Sequence, residues 1–311
     1  MKETTVVFMG TPSFAVPVLE KLILNTNVLL VVSQPDKEVG RKHLLQATPV
    51  KEVALKHNIP VFQPVKIKED YEAIKRLHPD LIITCAYGQI IPEALLKVPK
   101  IGSFNVHASL LPKYRGGAPI HWALINGEKK TGVTIMYMDK GMDTGDMVSK
   151  AVYDIKPEDN VGTLHEILSV MGADLLMETL PSIISHTNKR EKQDEAKVSY
   201  AYNIKREDER LDLAKTGEEV IHKIRGSNPF PTANILVNNE EYKILEATFE
   251  SHPKSSPGKV SSIQKDSIGI DVLDGTIYVT KLKPFGKKAM STKDYLNGVS
   301  KETILNWQIN R

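Results

Sequence analysis

Short apolar runs rich in β-branched residues alternate with amphipathic stretches through the first half of the chain. These runs lie at residues 4–9, 27–33, 79–85, 102–107 and 131–138. Such alternation is typical of parallel strands joined by crossover helices. The first four runs are apolar almost throughout, as in strands covered on both faces, whereas 131–138 alternates and is expected nearer an edge. Residues 1–188 are therefore predicted to form one doubly wound, mostly parallel α/β domain.

The pattern changes in the last third of the chain. Residues 189–207 are dense in charge and poor in aliphatic side chains, which favours an exposed linker between domains. Residues 208–311 start with a helical pattern at 214–226 and continue as short strands broken by Gly, Pro, Asn and Asp. This segment is predicted to form a smaller C-terminal β-barrel or sandwich.

Length and composition agree with two globular domains. The chain has 311 residues, of which 41% are hydrophobic and 25% charged, and these values are ordinary for folded proteins. The net charge of +3 does not indicate a nucleic-acid partner, so any such contact must depend on local patches.

Cysteine content and hydropathy indicate the cellular compartment in which the protein is expected. Cys85 is the single cysteine, and a lone thiol fits a reducing compartment, with the cytoplasm as the default. The N-terminus reaches Gly10 and Pro12 before a long apolar core develops, unlike a signal peptide. No run of about 18 apolar residues was identified, so no membrane association is expected.

Two polar residues of different chemistry occupy the end of the 102–107 strand. Asn105 and His107 have the same side-chain parity in an extended segment, so both can face one pocket. An amide offers N–H donors to a developing oxyanion, and a neutral imidazole accepts a proton near neutral pH. The pair therefore suits acyl transfer, although either residue alone could be a satisfied polar group.

A third polar group would hold the imidazole in one tautomer. The segment "MDKGMDTGDM" (138–147) offers Asp139, Asp143 and Asp146, and the residues alone do not select among them. The spacing lacks the bidentate Glu of an EF-hand. One Cys and no His pair at i, i+4 give no support for zinc, so no metal is expected.

Neighbouring segments suggest where ligands could lie. Leu110, Leu111 and Pro112 form a stiff apolar ledge, which either packs internally or receives a flat ligand. The loop "MGTPSFAV" has one glycine where a dinucleotide site needs three, which disfavours a dehydrogenase. The basic segments "KEVGRKHLL" (37–45) and "KLKPFGKK" (281–288) are candidate nucleic-acid contacts or merely solvated loops.

Five segments together closely resemble the methionyl-tRNA formyltransferase family. They are "GTPSFAVPVLEKL" (10–22), "QPDKEVGRK" (34–42), "AYGQIIP" (86–92), the block 104–147 and "IRGSNPFPTA" (224–233). The resemblance implies a Rossmann-like catalytic domain followed by an OB-like barrel that grips tRNA. Two departures stand out, since His43 replaces a usual basic residue and Tyr202 replaces a usual proline.

The resemblance also implies an activity and its residues. The family's catalytic trio is matched by Asn105, His107 and Asp143. The resemblance implies that Asn105 stabilises the oxyanion, His107 transfers the proton and Asp143 orients the imidazole. The tetrahydrofolate-binding run is matched by Ser109, Leu110, Leu111 and Pro112, and the tRNA-binding loop by Arg41 and Lys42. The expected reaction moves the formyl group of 10-formyltetrahydrofolate to the amino group of methionyl initiator tRNA, for translation initiation, in a monomer without metal.

Three alternatives share parts of this pattern. A formyltransferase acting on glycinamide ribonucleotide or an amino sugar nucleotide would keep the trio but not need the basic loop or the β-domain. A formyl-folate hydrolase would release formate without an acceptor. A non-catalytic tRNA-binding protein could reuse the fold, although all three polar residues are retained.

Overall fold

A computed structural model describes residues 1–40, 44–253 and 255–310. Contacts divide the chain into two compact units, which interleave along the sequence. The first contains Met1–Pro119, Lys130–Asp154 and His165–Tyr202, and the second contains Ile120–Lys129, Ile155–Leu164 and Asn203–Arg311. The sequence-based bounds of 1–188, 189–207 and 208–311 stay a prediction.

The secondary structure follows the alternation seen in the sequence. The strands of the first unit are β1 (Thr5–Gly10), β2 (Asn27–Val32), β3 (Lys37–Val39), β4 (Leu44–Gln46), β5 (Val61–Phe62), β6 (Leu81–Cys85), β7 (Gly102–His107), β8 (Lys130–Tyr137) and β9 (Met147–Asp154). The helices up to residue 184 are α1 (Val16–Asn25), α2 (Pro49–Lys56), α3 (Glu72–Lys75), α4 (Glu93–Leu96), α5 (Pro119–Ile125) and α6 (Val161–Ile184).

The main sheet of the first unit has the strand order β5-β2-β1-β6-β7-β8-β9. The first five strands in this order, β5, β2, β1, β6 and β7, are parallel to one another. Strand β8 runs antiparallel to β7, and β9 runs antiparallel to β8. The predicted fold class is confirmed: the sheet is rich in parallel strands, and a separate curled antiparallel sheet lies in the C-terminal region.

The central strands are buried because their sequences are apolar on both faces. Every residue of β6 is buried, and Val6 to Met9 of β1 have no exposed surface. Helix α1 covers this sheet with Val18, Leu19 and Leu22, which are fully buried. Burying one such side chain stabilises the fold by roughly 1.5–3 kcal/mol, so this layer fixes the strand ends that carry the candidate site.

Segment 131–138 lies near the edge of the sheet as expected, whereas the edge strand β9 and helix α6 differ from the expectation. The alternating segment 131–138 forms β8 one place from the edge, and the edge itself is β9, whose polar residues hid it from the hydrophobic pattern. The expectation of no apolar 18-residue run is wrong, because helix α6 is long and apolar enough to cross a membrane by length and composition. Half of its most apolar window is buried in the protein, as in a core helix.

The second unit is built on the predicted antiparallel strands. These are β10 (Asn234–Val237), β11 (Glu240–Ser251), β12 (Val260–Ile263), β13 (Ile268–Val272), β14 (Gly275–Lys283), β15 (Met290–Ser291) and β16 (Ile309–Asn310). Their order is β12-β13-β14-β11-β10-β16, with β15 on β14. The helices α7 (Gly217–Arg225), α8 (Thr292–Leu296) and α9 (Lys301–Leu305) complete the unit.

Helix α7 forms where the sequence pattern predicted it. The Thr216 hydroxyl accepts the Glu219 N–H, and the Glu219 carboxylate accepts the Thr216 N–H. This reciprocal cap satisfies two backbone donors that have no partner within the helix. Val220 and Ile224 face the core of the second unit, and Ile221 packs beside them.

Candidate active site

Strand β7 ends in the two polar residues that the sequence singled out. The hydroxyl of Thr84, on neighbouring β6, donates to Oδ1 of Asn105 at 2.8 Å. Because the amide oxygen is held in this way, the amide nitrogen faces the opposite direction, where Nδ2 of Asn105 lies 3.5 Å from Oδ1 of Asp143. The pair of N–H donors is therefore presented on the side of Asp143.

The imidazole of His107 is buried between a carbonyl and a carboxylate. Its Nε2 lies 3.0 Å from the carbonyl oxygen of Tyr114, and its Nδ1 lies 3.6 Å from Oδ1 of Asp143. A carbonyl can only accept, so Nε2 carries a hydrogen. In the neutral ring Nδ1 then has a free lone pair, and this is the nitrogen that can take up a proton beside the carboxylate.

The structure distinguishes Asp143 from the other two aspartates of its loop. Oδ2 of Asp143 accepts the Gly116 N–H at 2.8 Å, while Oδ1 faces both Asn105 and His107. Asp139 instead accepts the Gly141 N–H within its own turn, and Asp146 pairs with Arg190. Only the side chain of Asp143, among these three, is shared between the two residues at the end of β7.

A cleft of about 160 Å³ opens at this point. Asn105 and Asp143 line one part of it, and the other lining residues come from the loop after β6, strand β8 and the loop after β8. They are Gln89, Ile90, Ile91, Met136, Met138, Asp139, Lys140, Gly141 and Met142. Apolar walls with a few convergent polar groups are typical of a small-molecule site.

The loops after β1, β2 and β6 meet at the backbone carbonyl of Tyr87. The Thr11 hydroxyl, in the loop after β1, donates to the Tyr87 carbonyl at 2.9 Å, and the Gln34 side chain donates to the same carbonyl. Burial raises the pKa of the Tyr87 phenol to about 12, so this side chain stays neutral at physiological pH. The loops after β1, β2 and β6 are therefore tied together.

The predicted folate run lies against β8. The Thr134 hydroxyl donates to the Ser109 carbonyl at 2.7 Å and accepts the Leu111 N–H at 3.2 Å. Leu111 is buried against Met136 and Met147, and Met136 also lines the cleft. Leu111 thus supports the cleft wall from behind, while Leu110 and Pro112 are half-buried.

Several residues of the site were not identified from the sequence. Thr84, Tyr114 and Gly116 orient the trio, and Gln89 and Lys140 add polar groups to the cleft. A polar residue at the end of the buried strand β6 was a signal for Thr84. The contacts made by Tyr114 and Gly116 carry no local signal, because one is a backbone carbonyl and the other a backbone N–H.

Two other predictions concern binding groups. Arg41 and Lys42, the predicted tRNA-binding residues, lie outside the described residues, in the connection between β3 and β4. Across residues 1–40, 44–253 and 255–310, no group of three or more His, Cys, Asp or Glu side chains could hold a metal ion.

Two domain families match successive parts of this chain. Residues 3–180 match the family described as Formyl transferase, and residues 203–300 match Formyl transferase, C-terminal domain. The chain belongs to the formyltransferase family. A methionyl-tRNA formyltransferase of Bacillus subtilis is 50% identical over 304 residues, covering 96% of this chain and 96% of that protein. One from Staphylococcus epidermidis is 47% identical over 302 residues, covering 96% and 97%.

Solved structures share the formyltransferase fold at lower identity. HypX from Aquifex aeolicus in complex with tetrahydrofolic acid aligns with a TM-score of 0.65 and 17% identity, over 98% of this chain and 48% of that one. The sugar 3N-formyl transferase WlaRD aligns with a TM-score of 0.64 and 21% identity, over 93% and 100%. At these identities the likeness concerns the fold alone.

Proposed function

We propose that this member of the formyltransferase family transfers the formyl group of 10-formyltetrahydrofolate to the α-amino group of methionine esterified to initiator tRNA. The observation that carries the chemistry is the single carboxylate of Asp143 shared by Asn105 and His107 at the end of β7. The choice of acceptor rests on the near-full-length relatives at about half identity.

The lining of the cleft suits the ring system of a folate. Ile91, Met136 and Met138 offer apolar surface for a flat ring system. When bound, 10-formyltetrahydrofolate supplies the formyl group. We assign its ring system to this cleft, with the run from Ser109 to Pro112 bracing the wall through Leu111 and Met136.

The roles of the trio follow from the atoms that remain available. Nδ2 of Asn105 donates to the formyl oxygen as negative charge develops there, and one such donor is typically worth about 3–4 kcal/mol of barrier. Nδ1 of His107 takes the proton that leaves the attacking amine, since Nε2 keeps its hydrogen on the Tyr114 carbonyl. The Asp143 carboxylate then lies beside the cationic ring and stabilises it. The ring returns this proton to N10 of the folate as the bond between N10 and the formyl carbon breaks, and tetrahydrofolate leaves.

Further parts of the proposal concern the rest of the chain. Arg41 and Lys42 contact the tRNA, and residues 208–311 form a tRNA-binding domain connected to the catalytic domain 1–188 by residues 189–207. The protein acts as a cytoplasmic monomer without membrane contact. Replacing Arg41 and Lys42 together should raise KM for tRNA far more than KM for the folate, and equal effects on both would exclude this role for the loop.

A direct assay separates the proposal from its alternatives. Labelled 10-formyltetrahydrofolate is offered with charged initiator tRNA, charged elongator methionine tRNA, glycinamide ribonucleotide or an amino sugar nucleotide. Strong preference for the charged initiator is expected. Transfer to a small acceptor alone would retain the trio and discard the RNA substrate, and formate release without any acceptor would indicate a hydrolase.

A further inference from the structure

Gln193 is a buried side chain whose amide touches the loop of Asp143. Its Nε2 donates to the backbone carbonyls of Asp143 at 2.7 Å and Gly145 at 2.8 Å, and its Oε1 accepts from Nε of Arg115 at 2.9 Å. Both of its N–H donors are used on a single turn of chain. These two bonds require a side chain that carries N–H donors, because a carboxylate or an apolar side chain could not donate to either carbonyl.

The turn that Gln193 holds is one that the backbone does not adopt readily. Asp143 has a φ of +54°, in the left-handed region that disfavours residues other than glycine. At Gly145 a Cβ atom would lie 1.9 Å from the Tyr137 carbonyl oxygen, so the loop passes directly over β8. A left-handed residue persists where surrounding contacts hold it, and Gln193 binds the carbonyl of Asp143 itself and that of Gly145, two residues further on.

Gln193 also bears on the second contact that orients Asp143. Arg115 is 1% exposed, and its guanidinium donates to Gln193 and to Glu195. The residue after Arg115 is Gly116, whose N–H binds Oδ2 of Asp143. A buried guanidinium that loses a partner is costly, so a change at Gln193 is transmitted to the Gly116 N–H as well as to the Asp143 carbonyl.

We propose that Gln193 is a positioning residue that aims the Asp143 carboxylate at His107 and Asn105. It acts from residues 189–207, the segment predicted from the sequence to be a linker, and it touches none of the trio's side-chain functional groups. The kinetic half of this inference rests on the proposed function. Displacing a catalytic group by about 1 Å costs on the order of 100-fold in rate, which sets the scale of the expected effect.

The test uses Gln193→Glu, which still accepts from Arg115 and no longer donates to the two carbonyls. The exposed neighbour Lys192→Gln is the matched control. We expect Gln193→Glu to lower kcat at least 30-fold, with KM for the folate and for charged tRNA within threefold of wild type. The control should stay within threefold in all constants. Loss through KM alone, or no loss, would overturn the inference.

A mutant cycle separates positioning from general destabilisation. In an Asp143→Asn background, Gln193→Glu should cost no more than threefold further, because the group it aims is already lost. An equal loss in both backgrounds would make Gln193 merely structural and overturn the inference. If Gln193→Glu does not fold, the same cycle is run with Gln193→Asn, which keeps the amide one methylene shorter.

Hydrogen exchange tests the same inference without measuring catalysis. Exchange of the Gly116 N–H, followed by NMR, should accelerate at least tenfold in Gln193→Glu and stay unchanged in Lys192→Gln. Unchanged exchange in Gln193→Glu would overturn the inference. If wild-type protein transfers no formyl group to any acceptor, the proposed function fails, whereas the exchange result still decides whether Gln193 holds Asp143.

Discussion

Oδ1 of Asp143 lies 3.6 Å from Nδ1 of His107. The other imidazole nitrogen is directed at the Tyr114 carbonyl, so Asp143 faces the only ring nitrogen that can gain a proton. The carboxylate and the imidazole therefore act as one unit, and the consequences of changing either one are connected.

Asp143→Asn tests this unit. The amide oxygen can still accept the Gly116 N–H, but the negative charge beside His107 is gone. Proton transfer by a positioned group is typically worth about 100- to 10,000-fold, so kcat should fall by about 100-fold or more. Adding His107→Ala should lower it little further. Steady-state kinetics check this, and multiplicative losses would mean that the two residues act separately.

The amide of Asn105 should act on the transition state. Asn105→Ala is expected to lower kcat by about 100-fold or more, with KM nearly unchanged, because a donor to a developing oxyanion contributes little to substrate binding. Thr84→Val removes the hydroxyl that orients the amide, together with its longer contacts to the Phe104 carbonyl and the Met138 sulfur, and should give a smaller loss in kcat. A larger effect at Thr84 than at Asn105 would contradict this assignment.

Gly116 is required by its backbone conformation. Its φ is +121°, and a Cβ atom would lie 2.7 Å from the Ala201 carbonyl oxygen. Gly116→Ala should shift the N–H that binds Asp143 and lower kcat by about 10- to 100-fold. Gly258 is the control for backbone strain alone. Its φ is +85°, and a Cβ atom there would lie 3.8 Å from the nearest atom, the Ile309 carbonyl oxygen. Gly258→Ala should leave kcat within threefold, and equal losses would exclude the proposed effect on Asp143.

Asp80 should make stability depend on acid pH. The Thr5 N–H, the Thr5 hydroxyl and the Lys100 ammonium hold the pKa of Asp80 below its ordinary value of 3.8. A depressed pKa gives stability that is present above 3.8 and lost as the pH falls through the folded-state pKa. Asp80→Asn should therefore lower the free energy of unfolding by about 1–2 kcal/mol at neutral pH.

Urea unfolding of wild type and Asp80→Asn across pH checks this. The difference between the two proteins should be constant near neutrality and shrink below pH 3.8. A difference that grows as the pH falls would contradict the depressed pKa of Asp80.

Cys85 should be chemically silent in the folded protein. Its side chain is fully buried at the end of β6, and burial raises the pKa of the thiol. Since the thiolate is the reactive form, iodoacetamide at pH 8 should modify native protein negligibly and denatured protein completely. Mass spectrometry measures both, and rapid labelling of native protein would show that β6 opens locally.

Much of the fold could be predicted because burial leaves a local signal. The run at 79–85 is apolar almost throughout, and its residues Leu81–Cys85 form β6, buried at every residue. The edge strand β9 was missed because Ser149, Lys150 and Asp154 interrupt its apolar positions, and an edge strand is covered less than a central one.

The site was predictable only where two residues share a strand. Parity alone places Asn105 and His107 at one end of β7. The residues by themselves left Asp139, Asp143 and Asp146 equivalent, because the distinction depends on the Gly116 N–H, 27 positions away. Resemblance to a known family selected Asp143, and the hydrogen bond supplies the physical reason.

The pairing of Arg115 with residues 199–201 imposes an order on how the catalytic centre is assembled. The Arg115 N–H donates to the Ser199 carbonyl, and the Ala201 N–H donates to the Arg115 carbonyl. A chain growing on the ribosome would therefore contain Asn105, His107 and Asp143 well before the residues that anchor their surroundings. Long-range closure of this kind is slow compared with local folding. Formyl transfer should accordingly appear late in synthesis, after residue 201 has left the ribosome.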